Sequence, residues 1–403
     1  MVWIFNHIYM YEFISKLHNS ISISKKVNSS RFVTKTDIID FDTFSNENYD
    51  IIPEVIRDHI DSLKKSGRVY SFELNGRNIN LYIILPTNTK KQKTRERIKP
   101  LTRRRTRNNN SRKTNADFYY YYKTVFSVLY FFIGQHSSQN IECSADLSIY
   151  LYLTDLKKTI PDRANDEITT VNVNTGFTFG CSLKNDIYIY RKEEWFKVFI
   201  HETIHALGLD FASHPELNAV ANRRILEFFH ITEEPTTPDL RLYEAYTETW
   251  ATILNILFQI RSMDQIPSTL QRQKAWSLNQ YIKLMEYYRF NNASVFENER
   301  RLILNEKMTI YSYYILKCRL LFSIDRFFEY CTSLKFETNE PTDQINFVKS
   351  IDAINKYMDF IENIVYGSKE VETKLLALAS VNGSGNSQFN RPELRNSLRM
   401  TLL

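Results

Sequence analysis

The stretch Phe199-Ile200-His201-Glu202-Thr203-Ile204-His205-Ala206-Leu207-Gly208 decides how the rest of the chain is read. It contains HExxH. Residues four apart on a helix share a face, so His201 and His205 can offer their imidazoles to two adjacent corners of a zinc tetrahedron. Glu202 then lies beside the metal, where it can act as general base and take a proton from water. Thr203 and Ile204 are uncharged, and Phe199, Ile200, Ala206 and Leu207 are apolar. A buried metal helix needs such neighbours, because an unpaired charge among them is costly to desolvate. The plain alternative is an amphipathic helix with two partly buried histidines. Gly208 marks the expected end of the helix, and Glu193 and Glu194 put negative charge at its start, where the macrodipole favours it.

A catalytic zinc site needs a third protein ligand and one open position. The run His205-Ala206-Leu207-Gly208-Leu209-Asp210 resembles the metzincin pattern HExxHxxGxxH, but Phe211 stands where that pattern has its third histidine. Phenylalanine cannot ligate zinc, so the metzincins are set aside. His214 comes three residues later, and Asp210 is one position early. The remaining candidates lie in Leu242-Tyr243-Glu244-Ala245-Tyr246-Thr247-Glu248-Thr249-Trp250-Ala251, which puts Glu244 and Glu248 on one helical face. This stretch resembles the gluzincins, the thermolysin-like superfamily whose third ligand is a glutamate on a second helix. In that alignment Glu248, followed three residues on by Ala251, is the favoured ligand. Glu244 then holds the other N–H of a histidine, and the reverse assignment stays open.

Further upstream, Asn172-Val173-Asn174-Thr175-Gly176-Phe177 reads either as an edge strand that pairs with extended substrate or as an ordinary turn. Asn174 and Gly176 are the candidate substrate contacts, Gly176 because it permits close backbone approach. The arrangement from Leu147 through YEAYTETWA is similar to HExxH metallopeptidase-like proteins of large nucleocytoplasmic DNA viruses. That resemblance covers about 147–320. It implies a viral protein in host cytoplasm or a virion and brings no substrate; the zinc motifs themselves lead to the expectation of a Zn²⁺-dependent metalloendopeptidase acting on polypeptide.

Outward from the motif, the expected fold class is α+β. Strands Leu147–Leu153 and Asp186–Tyr190 lead into the metal helix as a small strand-rich upper lobe of a zincin-like unit, 117–380. Helices are expected at 216–230, 240–262, 270–290, 295–333 and 343–366, forming a mostly helical C-terminal lobe. A small α/β unit, 1–88, precedes it, with a helix at Asp50–Lys65 and a hairpin of Val69–Leu74 and Ile79–Leu85 turned by Asn75-Gly76. The apolar run Phe118–Gly134 reads as a buried helix, since it carries Lys123 and several tyrosines and is short for a membrane span. Residues 381–403, rich in Ser, Asn, Gly and Arg, read as a loose tail.

The 403 residues carry a net charge of +6, 43% hydrophobic residues and 14% aromatics. The charge is concentrated: residues 89–116 hold twelve Lys/Arg against Glu96 alone, leaving the remainder acidic. This segment reads as a disordered linker, either a solvated loop or a nucleic-acid contact. The latter would suit a non-enzymatic viral binding or virion protein with a structural or vestigial zinc site, the competing reading. Cys143, Cys181, Cys318 and Cys331 form no CxxC, so reduced thiols are expected. Met1–Leu17 lacks a basic n-region and a small-residue cleavage site, so neither export nor a membrane partner is expected.

Overall fold

The computed structural model describes residues 2–87, 105–134, 142–162, 166–231, 238–289, 294–304, 309–333, 345–369, 372–373, 377, 394 and 396–402. Side chains are described from residue 11 onward and, in the second stretch, from residue 115. The fold is mixed α+β, a six-stranded sheet with helices packed on it.

The Asn-Gly signal forms a hairpin. Asn75 and Gly76 take φ of 48° and 75°, the left-handed values a two-residue turn requires. They join β2 (Lys65–Leu74) to β3 (Arg77–Pro86) with Leu74 opposite Arg77. Strand β1 (Val33–Ile38) pairs antiparallel with β2, and α2 (Glu54–Ser62) lies within the expected 50–65 helix. Strand β3 runs parallel to β4 (Asp146–Thr154), with Asn78 opposite Asp146 and Ile83 opposite Leu151. The hairpin and β1, all within residues 1–88, thus supply three of the six strands of one continuous sheet. Parallel neighbours need a long crossover, and α3 (Arg105–Leu129) lies in it. Residues 105–116, expected in a disordered linker, are helical in α3. Residues 89–104, and with them most of the candidate nucleic-acid contact, lie outside the described residues.

The sheet continues with β6 (Lys184–Arg191), parallel to β4, and ends with β5 (Gly176–Thr178), antiparallel to β6. Alternation along the strands divides the core. Leu81, Ile83, Ile149, Leu151, Ile187 and Ile189 face the main core with Val125, Phe126 and Phe199. On the other face Tyr82, Tyr150, Tyr188 and Phe177 are in register across four adjacent strands. Their rings stack at centroid distances of 4.7, 4.8 and 4.7 Å, and Ile52, Ile56 and Ile60 cover them. Cross-strand aromatic pairs of this kind contribute roughly 0.2–1 kcal/mol each.

Cys143 and Cys181 form a disulfide, with Cα atoms 4.8 Å apart, which corrects the expectation of four reduced thiols. The two cysteines lie 38 residues apart in sequence. They meet because each precedes one of the paired strands β4 and β6, where Asp146 faces Lys184. Cys318 and Cys331 are free and buried.

After β6, Glu194 takes the left-handed conformation (φ 58°) and α5 (Trp195–Ala206) begins. It packs between the sheet and α7 (Leu242–Gln259). Around them lie α6 (Pro215–Phe228), α8 (Ile266–Tyr287), α9 (Val295–Leu304) and α10 (Lys317–Phe322). A π-helical turn, Tyr311–Leu316, leads into α10, followed by α11 (Ile324–Ser333) and α12 (Ile351–Phe360). The N-terminal α1 (Val2–Lys26) docks against this layer, Phe13 meeting Trp250 and Phe328 at ring distances of 6.2 and 5.4 Å. Among the described residues no helix is long and apolar enough to cross a membrane.

Residues 396–402 are not a loose tail. Leu398 and Thr401 are fully buried. Ser397 bridges to Thr159, Tyr314 Oη donates to the Leu398 carbonyl at 2.7 Å, and Lys317 Nζ donates to that of Met400 at 3.0 Å. The Thr401 N–H donates to Glu194 at 2.6 Å. The segment is held by polar groups on its backbone, so apolar periodicity gave no sign of it.

Candidate metal centre

Helix α5 is buried along nearly its whole length. Phe199, Ile200 and Ile204 anchor it in the core, so the opposite stripe, Lys197, His201 and His205, faces α7. Helix α7 runs antiparallel to it and answers one turn at a time. Lys197 Nζ donates to both oxygens of Glu248 at 2.6 and 2.8 Å. Glu248 Oε1 also lies 3.3 Å from His201 Nδ1. Glu244 Oε2 lies 3.1 Å from the Nε2 atoms of both His201 and His205, which are 2.9 Å from each other. Asp210 closes the row against His205 Nδ1 and is itself fixed by Thr247 Oγ1 at 2.7 Å and the Ala212 N–H at 3.0 Å.

His201, His205 and Glu244 form a buried group that could hold a metal ion, their ligand atoms all within 4.8 Å of one another. Around one tetrahedral ion with bonds near 2.05 Å, ligand atoms stand about 3.3 Å apart, so the observed spacing fits after a small expansion. The other side of each imidazole faces a carboxylate, Glu248 for His201 and Asp210 for His205. Metal-bound histidines use such partners to fix ring orientation. Of the two glutamates expected in ligand and supporting roles, Glu244 is the one grouped with both histidines, whereas Glu248, the favoured ligand, pairs with Lys197 and lies near the far nitrogen of His201.

The electrostatics follow from burial and pairing. Burial and the adjacent His205 oppose charge on His201, yet Glu248 and Glu244 outweigh them and raise its pKa. Burial likewise opposes charge on His205, but Asp210 and Glu244 lift it well above its ordinary value. Burial alone would push the Glu244 carboxyl up, and the imidazoles instead hold it well below the carboxylate range. The imidazoles and carboxylates thus favour each other's charged forms, and a divalent cation on the two Nε2 atoms could take over that pairing.

Glu202 is different. Burial pushes its pKa up, and it makes no hydrogen bond or ion pair among the described residues. It lines a cavity of about 30 Å³ with His201, Tyr313 and Met400, the space of roughly one water molecule. Asn174 and Gly176 line the same cavity. The glycine is required there for a reason other than substrate approach, because a Cβ would collide with the Tyr188 carbonyl oxygen of the neighbouring strand. The carbonyl of Asn174 accepts from Arg191 Nη1 at 2.7 Å. His214 is part-exposed beside Glu216 and outside the group, while Phe211 is fully buried against Phe347 at 4.7 Å.

Lys197, Asp210 and Met400 were not legible as site residues. For Lys197 a signal existed: a lysine one turn before His201 needs a carboxylate on the facing helix, and that carboxylate is then unavailable to a cation. No protein-family model matches the chain, and neither does any curated protein or solved structure.

Proposed function

We propose that the chain is a zinc-dependent hydrolase of the zincin type, most simply a metalloendopeptidase, with His201, His205 and Glu244 as the metal ligands. One observation carries the reading: two imidazoles and a carboxylate converge in a buried place beside a glutamate that has no partner of its own. Structural zinc would need a fourth protein ligand, and His201, His205 and Glu244 are the one such group among the described residues. When bound, the metal would polarise the scissile carbonyl and acidify water.

The chain's own residues supply the rest. Glu202, raised by burial, is suited to accept a proton at its carboxylate and pass it to the leaving amine. Tyr313 stays protonated because its pKa is raised well above the ordinary value, chiefly by burial. Its ring lies 6.2 Å from that of His201, so its hydroxyl is the candidate donor to a developing oxyanion. Strand β5 ends the sheet on this side and offers an edge for an extended peptide. The resemblance to viral proteins points to a host cell or virion as the place of action.

The test uses zinc-loaded protein and a fluorescence-quenched peptide library. Wild type should cleave a subset of peptides, and Glu202→Gln should retain zinc and lose cleavage by about 10²-fold or more. Equal cleavage by Glu202→Gln, or none by the zinc-loaded wild type, defeats the reading.

A further inference from the structure

A second, much larger cavity of about 710 Å³ opens at the start of α5, within the 300–1,000 Å³ usual for small-molecule sites. Its lining is strongly cationic: Lys25, Lys123, Lys157, Lys192, Lys197 and Arg399. The two acids on it are already engaged. Glu193 accepts from the Lys158 N–H at 2.7 Å and lies 3.8 Å from Lys157. Glu194 pairs with Lys158 at 3.0 Å and accepts from Thr401. Lys123 and Lys192 are exposed and make no ion pair among the described residues.

Three further features define the ligand, the first of them pointing to an anion. The first-turn N–H groups of Phe196 and Lys197 in α5 have no carbonyl within the helix to bond and lie at the positive end of its dipole, while that of Trp195 donates to the Lys192 carbonyl at 3.4 Å. Asn255 lines the cavity and is 2% exposed. Its carbonyl oxygen is occupied by Gln259 at 2.8 Å, but its Nδ2 donor has no partner. A buried donor left in this state is destabilising, and a ligand acceptor would relieve it. Aromatic rings complete the wall, Trp195 against Phe196 at 5.7 Å and Phe196 against Phe258 at 5.5 Å.

We infer that this cavity binds an organic phosphate carrying a flat ring, of mononucleotide size, with the phosphate toward the lysines and the start of α5. The ring lies against Phe196 and Phe258, and Asn255 donates to it. The cavity shares Lys197, which is held by Glu248, with the candidate metal centre, and the inference does not depend on the hydrolase reading.

Titration calorimetry on the full chain tests this with AMP, adenosine and inorganic phosphate as probes. AMP should bind at one site, at least tenfold tighter than either fragment, and more weakly as salt is raised. Lys123→Glu/Lys192→Glu, at two exposed positions, should weaken AMP at least tenfold without shifting the melting temperature. Asn255→Leu should weaken it severalfold. No saturable AMP binding overturns the inference. So does AMP binding no tighter than phosphate, or binding that survives the double charge reversal.

Discussion

Replacing the two glutamates of α7 one at a time tests which of them serves as the proposed metal ligand. Glu244 Oε2 is 3.1 Å from both Nε2 atoms, whereas Glu248 touches only Nδ1 of His201 and otherwise holds Lys197. Glu244→Gln therefore removes a ligand. With roughly 10–16 kcal/mol for a four-ligand zinc site, one ligand is worth about 3–4 kcal/mol, or some 10²–10³-fold in affinity. Glu248→Gln removes only an orienting partner, worth about 10–100-fold. The stabilities should run the other way. Glu248→Gln leaves Lys197, 1% exposed, without its carboxylate, and breaking a buried pair costs about 3–5 kcal/mol. Glu244→Gln leaves imidazoles that can simply release their protons. Competition for zinc with a chromogenic chelator measures the affinities, and urea melts in a metal chelator measure the stabilities. A larger zinc loss in Glu248→Gln, or a larger loss of metal-free stability in Glu244→Gln, refutes the assignment.

Other perturbations probe separate parts of the account. Burial would raise the Glu194 pKa, but Lys158, Lys197 and Arg399 hold it at about 2, below its unfolded value of about 4.3. Its ionised form therefore stabilises the fold above the unfolded pKa, and that contribution is lost as pH falls toward about 2. Urea melts from pH 7 to 3 should show this loss, and Glu194→Gln should abolish that part of the dependence while costing roughly 3–5 kcal/mol at pH 7. Phe211→His restores the metzincin pattern on paper. It should leave zinc affinity unchanged and lower stability by roughly 3–5 kcal/mol, the range for losing a buried aromatic, as chelator competition and melts will show. Thiol titration of unfolded, unreduced protein should find two free cysteines, Cys318 and Cys331, and four after reduction.

The parts of this molecule legible in the sequence are those written in local pattern. HETIH placed two histidines on one buried face with a glutamate beside them, Asn75-Gly76 located a hairpin, and alternation marked β4 and β6. Glu244 and Glu248 were both visible, yet residues four apart share a face, and only the axial offset of α5 against α7 decides which one meets Nε2. That offset is set by packing, with Lys197 as its one trace in the sequence. The joining of the hairpin to β4, the Cys143–Cys181 pair and the burial of residues 396–402 all arise from contacts between segments far apart in the chain. Asp210 was read only as a misplaced ligand; its part, behind His205, depends on the turn after α5 and on Thr247.

The most direct measurement is an anomalous difference map at the zinc edge from crystals grown with zinc. The account predicts one strong peak about 2 Å from His201 Nε2, His205 Nε2 and a Glu244 oxygen, with Glu248 still on Lys197. A peak ligated by Glu248 or His214, or no peak at the two histidines, contradicts it.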